Sequence, residues 1–132
     1  MEKVKTAVIG LGQRGYSMIK YLLLGMDNCE IVAVCDKYQD RVDRAIECIK
    51  EKNDKEVFGT TDYKEIFTHG GIEAVLVMTS WESHVRIACE AMEAGIPTGL
   101  EVGGAYSLQQ CWDLVLCWER TRAPFWFTEN AC

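Results

Sequence analysis

The sequence predicts an α/β fold, a doubly wound parallel sheet of six strands in the order 3-2-1-4-5-6, in a single domain. Three observations carry this. Short apolar runs alternate with helical-period segments along the whole chain. The first run, residues 4–9, leads directly into Gly10-Leu11-Gly12-Gln13-Arg14-Gly15. The second, residues 30–35, ends in Asp36, 21 positions after Gly15. Strands separated by helices pair in parallel through right-handed crossovers. Six strands in this rhythm place a ligand crevice across the carboxyl ends of strands one and four.

Each element has a local reason. The first helix, 12–24, puts Met18, Leu22 and Met26 on one face, and Gly25 closes it. The second, 39–51, carries Val42, Ala45, Ile46 and Ile49 at helical spacing. Residues 50–55 are a charged connection, and 57–58 are a short third strand. Asp62-Tyr63-Lys64-Glu65 reads as a capping box opening a short helix, which Gly70-Gly71 ends. Strand four, 74–78, is apolar throughout, as buried parallel strands are. Helix 82–94 turns Val85, Ala88 and Met92 inward and stops at Gly95. Strand five is 97–100. Ser107-Leu108-Gln109-Gln110 is a second capping box, whose helix aligns Leu108, Cys111, Trp112, Val115 and Trp118 on one face. Strand six, 124–128, alternates so that Phe125 and Phe127 share one face and Trp126 takes the other.

The glycine stretch carries the chemistry. G-x-G-x-x-G after a strand and opening a helix is the dinucleotide fingerprint. Gly10 makes the tight turn, Gly12 lets backbone approach a pyrophosphate, and Gly15 lets helix and strand pack closely. Leu11, Gln13 and Arg14 complete the loop, and the pyrophosphate sits on unpaired N–H groups at the helix start. Asp36 is placed to accept both ribose hydroxyls and repel a 2′-phosphate, which selects NAD over NADP. Lys37 and Arg41 soften that selection by offering positive charge. After strand four, Thr79 or Ser80 caps the next helix. Trp81 packs either on a nicotinamide ribose or on the sheet edge. His84 is a helix residue bonded to nearby backbone, with direct chemistry as the alternative. After strand five, Glu101 either faces the nicotinamide half or caps a turn, and Val102 follows it. Gly103-Gly104 permits unusual backbone angles close to a ligand.

Composition bounds the rest. The 132 residues suit one domain, with 48% hydrophobic and 26% charged residues. Net charge is −6 with no basic tract, which argues against a nucleic-acid surface. No apolar run approaches the ~18 residues a membrane span needs. The first strand begins almost at Met1, leaving no room for a signal peptide, so a cytoplasmic location is expected. Seven cysteines with no C-x-x-C read as free, mostly buried thiols in a reducing compartment. Only two histidines are present, and no metal site is expected.

The glycine loop, the Thr79-to-His84 spacing, Glu101 after strand five and the helix of Trp112 together resemble the glucose–fructose oxidoreductase and inositol dehydrogenase family (Gfo/Idh/MocA). The resemblance spans the whole chain but only the family's N-terminal half, a Rossmann domain. It implies an NAD cofactor, a sugar-like small-molecule substrate for the whole protein and a homo-oligomer. It also divides the chain into a nucleotide-binding domain, 1–128, and the start of a missing substrate domain, 129–132. Where the family commonly has Glu-Lys-Pro, this sequence has Glu101-Val102-Gly103. Valine cannot hold a proton, so the family lysine's role has no carrier here and no catalytic residue is assigned. The family's Thr-Pro-Asn reads Thr79-Ser80-Trp81. Both departures, with Gln110-Cys111-Trp112 and the Glu129-Asn130-Ala131-Cys132 ending, look like the branch containing NAD-dependent glycosidases. Three readings stand: a sugar or cyclitol dehydrogenase, a redox-neutral glycoside hydrolase, and a nucleotide-binding module with no catalysis of its own. The aromatic residues of strand six also lead us to expect a symmetric dimer.

Overall fold

The computed structural model describes residues 2–129. Val4–Ile9 (β1) is the central strand, flanked by Cys29–Cys35 (β2) and Ala74–Val77 (β4). Phe58–Thr60 (β3) lies beyond β2, and Thr98–Leu100 (β5) and Phe125–Phe127 (β6) lie beyond β4. Every pairing is parallel and the order is β3-β2-β1-β4-β5-β6, as the alternation of elements dictates. One β-bulge between Thr6 and Ala7 lets β2 carry an extra residue, so the register passes from Ile31 to Ala33.

Two apolar layers sandwich the sheet. On one face, Val8, Val34 and Leu76 meet Gln13–Tyr21 (α1) and Gln39–Lys50 (α2) through Ile19, Val42, Ala45 and Ile49. On the other face, Ala7, Ile9, Val75, Val77 and Leu100 meet three helices. These are Tyr63–Thr68 (α3), Trp81–Glu93 (α4) and Leu108–Thr121 (α5), which contribute Ile66, Ala88, Met92, Leu114 and Cys117. The first face is unevenly covered, because α1 and α2 serve β1 to β3. Over β4 to β6 a groove of about 700 Å³ remains, lined by Met18, Leu22, Met26, Leu76 and Trp126. The indole of Trp126 lies over Gly99, where an added Cβ would come 2.8 Å from Trp126 Cε2 and 2.7 Å from Leu76 Cδ2. Glycine is needed at 99 because that indole fills its place.

Several local expectations need correction. The first helix ends at Tyr21, because Leu22 leaves helical geometry (φ −123°, ψ −68°) and a 3₁₀ turn, Leu23–Gly25, follows. Its buried face is Gly15, Ile19 and Leu23, while Leu22 and Met26 are exposed. The close approach at Gly15 rotates that stripe onto the sheet. The capping box at Asp62 forms by half: Asp62 accepts from the Lys64 N–H at 3.0 Å, while Glu65 bonds the Thr60 hydroxyl at 2.9 Å instead of reaching back. In the second, Ser107 Oγ accepts from Gln110 N–H, while Gln110 Oε1 accepts from Tyr106 N–H, one residue before the N-cap Ser107 that a full box would use.

The apolar stripe on α5 shares one face, as expected, and that face points outward. Leu114 and Cys117 face inward, and Leu108, Trp112, Val115 and Trp118 are exposed. Small residues decide this, because Cys117 lets α5 approach α4 closely enough for its thiol to reach the Cys89 carbonyl at 3.6 Å. Among the described cysteines all are free, but Cys111, on the outward side, is exposed. Asn130, Ala131 and Cys132 of the family-like ending lie outside the described residues.

Candidate functional site

At the carboxyl ends of β1, β2 and β4 a crevice of about 730 Å³ opens. The fold places here Gly10, Gly12, Gln13, Arg14, Asp36, Lys37, Arg41, Thr79 and Ser80 from the sequence-derived set. Leu11 is fully buried beneath the loop, and its N–H donates to Asp36 Oδ2 at 2.8 Å. The three glycines differ in what they tolerate. Gly10 has φ +98°, and an added Cβ would lie 2.5 Å from the Met78 carbonyl carbon. At Gly15 an added Cβ would sit 1.9 Å from the Gly10 carbonyl oxygen. Gly12 is open: the nearest atom to its added Cβ is Arg41 Nη1 at 3.7 Å. Gly12 is also the N-cap of α1 and supplies no capping side chain, and no acidic residue stands in the first turn. The positive end of α1 therefore faces the crevice with no side-chain cap and no acid in its first turn.

Asp36 is held firmly. It is buried, with Oδ2 accepting from Leu11 N–H and Oδ1 from Tyr38 N–H at 3.0 Å. Each carboxylate oxygen keeps a second lone pair for a hydroxyl donor. Cys35 beside it is pushed up to about 12, first by burial and then by the negative charges of Asp36, Asp62 and Glu65. It remains a thiol and offers no nucleophile at neutral pH.

Arg14 reaches across the sheet top, its Nε donating to Glu101 Oε2 at 2.8 Å. Glu101 Oε1 accepts from Val102 N–H, also at 2.8 Å. Burial alone would raise the Glu101 carboxyl, but the hydrogen bonds from Arg14 and Val102 and the guanidinium charge outweigh it and hold the group below its usual value. Glu101 thus ties the start of α1 to the end of β5.

Besides Leu11 and Glu101, four sequence-derived residues stand outside the crevice wall. Gly15 is packed beneath it. Trp81, the first residue of α4, rests its indole on Gly103, where an added Cβ would meet Trp81 Nε1 at 2.3 Å. Val102 lines a separate groove of about 860 Å³ with Trp118, Phe125 and Phe127. His84 is fully buried, and its Nε2 lies 2.7 Å from the Thr79 carbonyl, so that nitrogen carries the proton. Its Nδ1 has no hydrogen-bond partner among the described residues. Burial lowers the His84 value, against an opposing pull from the Thr79 carbonyl, Glu101 and Gly104.

The crevice also includes Tyr38, Thr61, Asp62, Tyr63, Ser83 and Arg86, which sequence reasoning did not single out. Tyr38 had a visible signal: it lies between two cations, with Lys37 Nζ 5.1 Å and Arg41 Cζ 4.8 Å from its ring centroid.

A pH dependence follows from these shifts. His84 is depressed in the fold, so its neutral ring adds stability that is complete above its ordinary 6.5 and lost as pH falls through its folded value. Glu101 is depressed too, and its contribution is complete above 4.5 and lost as pH falls through its lower folded value. The urea midpoint is expected to fall on acidification from pH 7, with a first step beginning near 6.5 that His84→Gln flattens. A midpoint unchanged between pH 7 and 5, in wild type, contradicts the assignment.

The comparisons with known proteins agree with this geometry. Residues 4–128 match the family described as "Oxidoreductase family, NAD-binding Rossmann fold". The chain is 34% identical over 134 aligned residues to an alpha-N-acetylgalactosaminidase of Shewanella oneidensis, covering 98% of this chain and 29% of that protein. It is 33% identical to a glycosyl hydrolase family 109 protein of Akkermansia muciniphila, with 98% and 28% covered. In fold it is similar to the WlbA dehydrogenase of Chromobacterium violaceum, solved with NADH and UDP-GlcNAcA. That likeness has a TM-score of 0.86 at 18% identity and covers 97% of this chain and 35% of that one. The chain thus spans under a third of the length of these curated relatives. Its matched segment, its strand order and its glycine loop make it a member of the Gfo/Idh/MocA oxidoreductase family, of which it represents the NAD-binding Rossmann domain.

Proposed function

We propose that the crevice binds NAD(H), and that the whole protein uses it on a sugar or cyclitol. The observation that carries this is the open space above Gly12 at the uncapped start of α1, with Asp36 fixed at the neighbouring strand end. The residues fit the cofactor. First-turn N–H groups receive the pyrophosphate, Asp36 takes the adenosine ribose hydroxyls, and Tyr38 offers a face to the adenine. The nicotinamide end runs past Thr79 and Ser80 toward the Arg14–Glu101 pair. Bound there, the cofactor supplies hydride transfer. Asp36 favours NAD over NADP.

A second reading concerns the net reaction. Val102 has no proton to give, and the relatives named above include an alpha-N-acetylgalactosaminidase. Both favour a redox-neutral hydrolysis in which the cofactor is regenerated within each turnover. By itself the chain acts as a nucleotide-binding module. We place residues 1–128 in this domain and 129–132 at the start of the substrate domain. A cytoplasmic location fits the free thiols. A homo-oligomer fits the exposed aromatic residues of α5 and β6, and sedimentation velocity measures it.

Calorimetric titration of NAD⁺ into the chain tests the central reading. The expected result is saturable binding with no sugar turnover, and a chain that takes up no NAD⁺ overturns it. In the whole protein, free sugar released without net NADH separates hydrolysis from dehydrogenation.

A further inference from the structure

Two cysteines meet across the helical layer, away from the crevice. Cys89 lies on α4 and Cys117 on α5, and neither lines the crevice. The two helices pack directly on each other, and both residues belong to the same apolar layer. The Cys117 thiol rests against residue 89, donating to its carbonyl at 3.6 Å. The two thiols are also hydrogen-bonded to each other. Other cysteines have different neighbours. Cys29 meets the Thr6 hydroxyl, Cys35 the Asp36 carboxylate and Cys48 the Tyr16 side chain, while Cys111 is exposed.

The surroundings give the two sulfurs different roles. Arg120 Nη2 lies 3.8 Å from the Cys117 sulfur, and its side chain is 62% exposed. A guanidinium beside a sulfur favours the thiolate, and this one marks the side from which a small oxidant arrives. Cys89 faces Glu93 and Asp113 instead, and burial holds its thiol above its ordinary value. We infer that Cys89 and Cys117 are a reversible redox pair, which a peroxide closes into a disulfide that clamps α5 to α4. The Cys117 thiolate attacks one peroxide oxygen, the O–O bond breaks, and a sulfenic acid and hydroxide form. The hydroxide takes up the proton that Cys117 had released. The Cys89 sulfur then attacks the Cys117 sulfur and the S–O bond breaks. The hydroxyl leaves with the Cys89 proton as water. In sum, two thiols and one peroxide become one disulfide and two waters, and the peroxide receives both electrons. A dithiol reductant reopens the bond by exchange and becomes a disulfide itself. Such transient pairs are compatible with a reducing compartment.

The test is treatment of the whole reduced chain with hydrogen peroxide, then non-reducing digestion and mass spectrometry. The expected product is a peptide pair linked through Cys89 and Cys117 within one chain, lighter by two hydrogens and released by dithiothreitol. The oxidised chain is expected to melt at least ~4 °C higher, and reduction to remove the gain. In Cys89→Ser, Cys117 is expected to stop at a sulfenic acid that dimedone traps. In Cys117→Ser, residue 89 is expected to stay a thiol. Overoxidation of either sulfur without a cross-link, a different pairing, or bonds only between chains overturns the proposal. A linked chain with an unchanged Tm overturns the clamp. Should a serine variant fold poorly, the digest of wild type decides alone, because it reads the pairing without a substitution.

Discussion

Gly15→Ala is expected to destabilise the chain by roughly 3 kcal/mol or more, a fall in Tm of about 10 °C. The added methyl carbon would lie 1.9 Å from the Gly10 carbonyl oxygen and 2.9 Å from its carbon. Both are backbone atoms of the turn that opens the crevice, so no side-chain rotation relieves the clash. Either α1 lifts from β1, or Gly10 moves. Gly10 cannot move freely, because its N–H bonds the Cys35 carbonyl at 2.8 Å and its α-carbon sits against Met78. Lifting α1 withdraws Ile19 and Leu23 from the buried layer. Thermal melting followed by circular dichroism measures this, and a variant as stable as wild type shows that the loop adapts.

Gly12→Val is expected to do the opposite. NAD⁺ affinity falls by at least ~10-fold, or about 1.4 kcal/mol, while Tm without cofactor changes by a few degrees at most. The reason is the open surround of Gly12: nothing but Arg41 Nη1 approaches within 4 Å of its added Cβ. Its φ of −66° is also accessible to any residue. The branched side chain enters only the space proposed for the pyrophosphate. Calorimetry and melting on the same preparation separate the two quantities. Normal NAD⁺ binding by this variant makes the loop purely structural. Two glycines three positions apart thus divide the motif into one needed for the fold and one kept clear for a ligand.

This division explains what the sequence could show. Strand order followed from the alternation of elements, because parallel pairing with right-handed crossovers leaves few other solutions. Gly10, Gly12, Gly15 and Asp36 were legible because backbone geometry fixes their spacing. The outward turn of α5 was not. Leu108, Cys111, Trp112, Val115 and Trp118 form the broader apolar stripe, yet the narrower Leu114 and Cys117 face packs. Helical period gives a face but not its direction, and here the close fit of Cys117 against α4 decides. Arg14 and Glu101 lie 87 positions apart, and no local pattern announces their ion pair. Thr61, Asp62 and Tyr63 enter the crevice only because β3 ends beside β2, so their signal exists only in three dimensions. Trp81 stood out as a large aromatic near the crevice, but Gly103 offers it a flat seat nearer at hand.

The half-covered sheet face sets a gradient in how the molecule opens. β1 is enclosed by strands on both sides and helices on both faces, so its amides exchange with solvent only when most of the structure is lost. β6 is three residues long, lies at the edge and has the groove beside Trp126 on one face. Its amides are expected to be released by fraying of that corner alone. Hydrogen exchange is therefore expected to become faster from β1 through β4 and β5 to β6. The glycine loop after β1, where we propose the cofactor's phosphates bind, belongs to the slow end. The slow and fast regions meet at Arg14 and Glu101, so dinucleotide binding should slow exchange at the end of β5 more than at β6.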